Sequence, residues 1–260
     1  MKLRVITATR GRPGHLLAAV QSVRALQLSV RHVLVCPAVE RQRLGLEFPT
    51  CHLVAEQGNG LYSALNDGLG AEDPDEYFTW INDDDVLVPA GLQAALAKLA
   101  ADPALDAVYG RVGLVDGRTV RLGEIPVAHR PADLPALLAA GIMPLAQPGT
   151  VFRWRVAEKI GVFDPGYRLA GDLDYFVRAI RAGLRFGFHD AEVAWFRLHA
   201  GQLSKAATAA ALEHARAIEP MPRIPAGGAR WRFRWDNRRV YWQRIRQHGF
   251  VRMQTIYRHG

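Results

Sequence analysis

The sequence predicts an α/β fold: a mostly parallel central sheet with helices on both faces and a small basic C-terminal extension. Three observations predict it. Short apolar runs alternate with helically spaced segments through the first hundred residues, the pattern of strand–helix–strand units. Several of these runs end in small or polar residues, which places loops at strand ends. The chain has 260 residues, 49% of them hydrophobic, enough to bury one sizeable core.

The elements follow in order. "LRVITATRG" reads as a buried strand opening into a loop. Residues 13–26 read as a helix, with Leu16, Leu17, Val20 and Val23 at helical spacing and Pro13 in the first turn. "RHVLVC" and "CHLVAE" are the second and third strands. Residues 60–69 form a helix, with Leu61, Leu65 and Leu69 four apart and Gly70 past the end. "EYFTWI" is the fourth strand, and residues 90–100 a helix entered through Pro89. A hairpin is expected over 107–124, turning at Asp116-Gly117. A short helix over 131–140, a strand at "GTVFRW" and a helix over 172–182 come next. "LRFGFH" and "EVAWFRLH" read as two strands, and 204–218 as an Ala-rich helix. The domain reading is therefore 1–218, a Pro/Gly linker at 219–229, and a basic aromatic extension at 230–260.

Charge is unevenly spread. The segment from Arg230 onward holds nine of the 33 basic residues and one of the 25 acids, so the remainder, with 24 of each, is neutral. No run of 18 apolar residues suggests a spanning helix, and "MKLRVITATRGRP" reads as a strand rather than a signal peptide. Cys36 and Cys51 form no CxxC, and a reducing cytoplasm fits them best.

In open parallel sheets ligands bind at the C-terminal strand ends, where both "TATRGR" and "NDDD" fall. Asp83, Asp84 and Asp85 stand in a row there between apolar runs. Adjacent carboxylates repel and are costly beside buried surface unless something positive sits among them. They suit a hard divalent cation, Mg2+ or Mn2+; the plain alternative is a solvated turn. In "LAGDLDYFVR", Asp172 falls where a helix N-cap belongs, and Asp174 lies about 200 degrees further round a helix. Asp172 is the better placed to reach a substrate hydroxyl as general base; alternatively it only caps. His199, just past an apolar strand, could complete a metal shell or touch phosphate, or be structural. Arg197 and Lys205 could neutralise phosphate or be surface charge.

Together these motifs resemble the family 2 glycosyltransferases, inverting nucleotide-sugar enzymes of the Rossmann-like GT-A fold. The similarity runs in order from about residue 3 to residue 206, through "VITATRGRP", "EQGNGLYSALNDGL", "TWINDDDVLVP", "QPGTVFRWRVAEKIGVFDPGYRLAGDLDYFVR" and "FRLHAGQLS". The third is similar to the family's DxD metal motif. The resemblance implies that Thr7, Thr9 and Arg12 lie around the nucleotide, with Glu56 near the base and Asn66 bordering the donor pocket. Asn82, Asp83 and Asp84 would face the nucleotide-sugar, Asp85 and His199 the Mg2+ or Mn2+, and Asp172 would be the base with Asp174 as alternate. It further implies a hexosyl- or N-acetylhexosaminyl-transferase using a nucleoside diphosphate-sugar, a UDP-sugar favoured, and a glycan or lipid-linked acceptor in cell-surface polysaccharide or glycolipid synthesis. Three departures stand out. "VLVCPAVERQRL" lacks the acidic residue expected after the second strand, Gly58 replaces an Asp, and Gly171 replaces the Glu before the base. The alternatives are a sugar-nucleotide pyrophosphorylase, disfavoured because "ATRGRPGHL" lacks the glycine pattern, and a non-catalytic binding or scaffold protein.

"RWRFRWDNRRVYWQRIRQHGF" interleaves arginine with aromatic rings. Three readings compete: peripheral contact with an anionic membrane, at the inner face or through a lipid-linked acceptor; packing on the main domain; and single-stranded nucleic acid, not expected as a partner. As a strand, Trp231, Phe233 and Trp235 would share one face.

Overall fold

A computed structural model of the chain describes residues 1–11, 14–71, 74–199 and 207–248. A nine-stranded sheet forms its centre. Strands β1 (Lys2–Ala8), β2 (Ser29–Cys36), β3 (His52–Ala55) and β4 (Tyr77–Trp80) run parallel, with β1 between β2 and β4 and β3 beyond β2. All four were legible as apolar runs. Beyond β4 lie the antiparallel β8 (Val151–Arg153), then β6 (Ala107–Asp116), β9 (Phe186–Leu198) and the short β5 (Val86–Leu87). Strand β7 (Arg121–Ile125) pairs with β6 as the expected hairpin, and Asp116 accepts backbone N–H bonds from Arg118 and Val120 to close its turn.

The helices are α1 (Leu16–Arg24), α2 (Arg41–Glu47), α3 (Leu61–Leu69), α4 (Pro89–Ala101), α5 (Leu134–Ala139), α6 (Trp154–Ile160), α7 (Gly171–Arg181), α8 (Ala207–Ile218), α9 (Gly227–Asp236) and α10 (Arg238–His248). The chain has a GT-A-like architecture with a curled, mostly parallel sheet. Trp80, Phe152, Phe163, Tyr175 and Phe176 form an aromatic cluster under the strand ends, with Trp80 edge-on to Phe163 at 4.7 Å. Aromatic pairs of this kind add ~0.5–1.5 kcal/mol beyond the area they bury.

Two expectations need correction. The two strands expected between 184 and 199 are one, β9, paired with β6 along its length through register shifts around Arg111. Gly110 makes this possible: a Cβ there would lie 2.7 Å from the Ala191 carbonyl oxygen, so any larger residue would push the bulged strands apart. The extension is helical. Phe233 buries against the domain from α9, and the buried Asn237 bonds both the N–H and the C=O of Val127 at the break before α10. Helix α9 also begins inside the residues read as linker.

Candidate active site

Strands β1 and β4 pair in register to Ile6 opposite Trp80, so the loops after them leave the sheet side by side. Strand β9 pairs with β5 just beyond the aspartates, which brings its end past the same place. The three aspartates therefore meet partners from the loop after β1 and from the end of β9, and each finds a different one. Thr9 Oγ1 donates to Asp83 Oδ2 at 2.6 Å. His199 Nε2 lies 2.8 Å from Asp84 Oδ2. Asp85 is fully buried; its Oδ1 accepts the backbone N–H of Arg197 at 2.9 Å, and its Oδ2 the Asn82 amide at 3.2 Å. Burial, then the neighbouring Asp84 charge, pushes the Asp85 carboxyl well above the usual carboxylate range.

Positive charge is built into this turn. Arg197, read as a phosphate ligand or surface charge, is 1% exposed. Its guanidinium donates to the Asp84 carbonyl at 2.8 Å and to the Asp116 carbonyl and Thr119 hydroxyl of the β6–β7 turn. His15, which the sequence reading passed over, stands at the position before α1 with its ring 5.3 Å from that of His199. Burial lowers its pKa, and the charges of Arg197 and His199 lower it further. Its only sequence signal was a histidine just after the first strand's loop.

The other expected donor-side residues divide. Arg12 and Lys205 lie outside the described residues. Glu56 pairs with Arg10 at 2.8 Å, both at the strand-end loops. Thr7, expected around the nucleotide, is instead buried beside His32, 3.1 Å from Nε2. Burial, with Arg24 nearby, drops the His32 pKa to about 3, so the ring is neutral. Asn66 holds neighbouring backbone: its side chain donates to the Phe163 carbonyl at 2.8 Å and accepts the Phe163 N–H at 2.9 Å. That reciprocal pair ties α3 to the loop that leads to α7.

Helix α7 begins one residue earlier than expected, so Asp172 sits in its first turn and Ala170 at the cap position. Asp172 Oδ1 accepts the Leu173 N–H at 2.8 Å and the Tyr62 hydroxyl at 3.3 Å. Burial raises its pKa above the ordinary aspartate value. Asp174 faces away, bonded to Arg178 at 2.8 Å. Gly171 follows from packing: a Cβ there would lie 2.7 Å from the Tyr62 ring. A carboxylate still serves this segment, from α8. Glu213 accepts the backbone N–H groups of Arg168, Leu169 and Ala170 at 2.7–3.1 Å.

The Asp84 carboxylate and the His199 imidazole are donor types that a hard divalent ion accepts beside waters and phosphate oxygens. Among the described residues no group of three or more His, Cys, Asp or Glu side chains is arranged to enclose a metal unaided.

No protein-family model matches this sequence, and no curated protein is similar to it. Solved structures are similar in fold. The structure of S. aureus TarS 1-349 in complex with UDP-GlcNAc has 15% identity and a TM-score of 0.64, covering 96% of this chain and 75% of that one. TarS 1-349 alone gives 14%, 0.63, 96% and 74%. A longer S. aureus TarS chain gives 14% and 0.63, and there the match takes in 84% of this chain but only 39% of TarS. The chain thus has the GT-A-like fold of the family 2 glycosyltransferases that its motifs resemble.

Proposed function

We propose that the chain is an inverting glycosyltransferase that moves a sugar from a nucleoside diphosphate-sugar to an acceptor hydroxyl. One observation carries the reading: on a GT-A-like fold, Thr9, Asp83, Asp84 and His199 converge at the C-terminal ends of β1, β4 and β9. The UDP-GlcNAc in the TarS complex favours a uridine diphosphate donor here. Asp84 and His199 would hold Mg2+ or Mn2+, and the fully buried Asp85 would fix the turn that presents them. When bound, such an ion offsets charge building on the leaving diphosphate.

The chain's own residues do the rest. Asp172, its carboxylate oriented by Tyr62 and the Leu173 N–H, takes the proton of the acceptor hydroxyl as that oxygen attacks the anomeric carbon. Attack opposite the leaving group inverts the configuration in one displacement. Asp174, bonded to Arg178, supports the helix and takes no proton. Cell-surface glycan synthesis, with a glycan or lipid-linked acceptor, is the pathway this reading favours.

The test is hydrolysis of UDP-, GDP-, dTDP- and CMP-linked sugars with Mn2+ and with EDTA, beside Asp84→Ala. One donor turned over by the wild type, and lost with EDTA and with Asp84→Ala, is the expected result. Absence of turnover and of any nucleotide-induced thermal shift would replace the reading with a scaffold role.

A further inference from the structure

Helices α9 and α10 are fixed to the domain by one face and bare on the other. Ala229, Phe233 and Val240 are buried, Arg232 grips Asp133 at 2.9 Å, and Asn237 bonds the Val127 backbone. These anchors set the helical phase and leave Trp231, Trp235 and Trp242 turned outward, 64%, 54% and 63% exposed. An exposed tryptophan is ordinary; three on one short pair of helices are not. Arg234, Arg239 and Arg246 are exposed among them. The segment's single acid, Asp236, is half-buried and faces Arg130.

From this we infer that the α9–α10 face is a docking surface for an anionic lipid bilayer. The charge argues for it: the two helices, residues 227–248, hold seven arginines and one acid, whereas residues 1–229 hold equal numbers of basic and acidic residues. The rings argue for it too. Indoles sit at headgroup depth, where an apolar body and a polar edge are both satisfied, and arginine heads pair with lipid phosphate. A single nucleic-acid strand would need open ring faces to stack on. Here Trp231 and Trp235 lie nearly parallel to each other, 12° apart with centroids at 5.8 Å, and Arg238 covers Trp235. The face also has a bearing on the site. Helix α10 bonds the β7 backbone through Gln243 and Arg244. Strand β7 follows the turn that Arg197 ties to Asp84, and Val120 and Leu122 at its start are exposed. A docked protein would hold that turn at the bilayer, in reach of a lipid-linked acceptor; this last point rests on the proposed glycosyl transfer, whereas the docking itself does not.

The experiment is co-flotation of the full chain with vesicles of phosphatidylcholine alone and with about one third phosphatidylglycerol, lacking any sugar donor or acceptor. Binding is expected only with the anionic lipid, with a blue shift of tryptophan emission. Each arginine near the surface is worth about fivefold in partitioning, so Arg234→Glu/Arg239→Glu/Arg246→Glu should weaken binding at least about 100-fold. Trp231→Ala/Trp235→Ala/Trp242→Ala should abolish the blue shift and weaken binding to the same vesicles. All six positions are exposed, so both variants should keep the wild-type melting temperature. No flotation of the wild type, or equal flotation of both variants, overturns the proposal. So does tight, salt-sensitive binding of a labelled single-stranded oligonucleotide without vesicle binding, which would reassign the face to nucleic acid.

Discussion

The two acidic sites solve the same electrostatic problem in opposite ways. Asp83, Asp84 and Asp85 are adjacent at a strand end, yet they share a place. The turn fans them out to Thr9, His199 and the Arg197 N–H. Asp172 and Asp174 are two apart on a helix and are driven apart by its pitch, one to Tyr62 and the other to Arg178. A strand end can gather charge for a shared ligand; a helix start presents one carboxylate and turns the next away. The first site therefore reads as a binding site and the second as a single base.

The largest effect should come from breaking the helix site. Asp172→Asn keeps the shape and removes the base, and kcat should fall about 100- to 10,000-fold with nucleotide affinity unchanged, measured by turnover and by titration calorimetry. Asp174→Asn should leave kcat within tenfold; equal losses in the two variants would erase the distinction drawn here. Next is packing. Gly171→Glu, which restores the family's acid, drives a side chain into the Tyr62 ring and should cost about 1–3 kcal/mol in urea unfolding. Adding Tyr62→Ala should recover part of that loss.

Glu213→Ala sharpens the comparison, because it tests whether the base needs a support that the aspartate turn gets from Arg197. The variant strands the N–H groups of Leu169 and Ala170, which are partly shielded. About 1–3 kcal/mol of stability should go, and kcat should drop more than the donor KM rises. The smallest effect is a shift in pH. Asp172 acts ionised, so activity is lost as pH falls through its pKa, already raised by burial. The Tyr62 hydroxyl stabilises the ionised form, so Tyr62→Phe should move the acid limb of the kcat profile to higher pH. A limb that moves down or stays fixed removes Tyr62 from the site.

Much of the fold was legible because β1 to β4 are apolar runs in a doubly covered sheet, which local pattern reports well. The extension was not. Trp231, Phe233 and Trp235 fit a strand's alternation, while Trp231 and Trp235 also fit one face of a helix. Phe233 reaching the core and Asn237 reaching Val127 decided between them, and those contacts span about a hundred residues of sequence. The site divided similarly. The aspartates were conspicuous, but the pairing of Asp84 with His199 bridges 115 positions. Glu213 carried no signal at all, since its partners are backbone N–H groups on a loop, which leave no residue-type trace.

Arg197 has a consequence for how this protein answers to its medium. A guanidinium is a rigid planar fork of N–H donors, so one side chain can hold several acceptors at once. Anchored by the Asp84 carbonyl and the β6–β7 turn and almost wholly buried, it is a counter-ion built into the frame rather than one borrowed from the solvent. Dissolved salt screens exposed charges far more than buried ones. The turn at the aspartates therefore keeps its positive neighbour across a wide range of ionic strength.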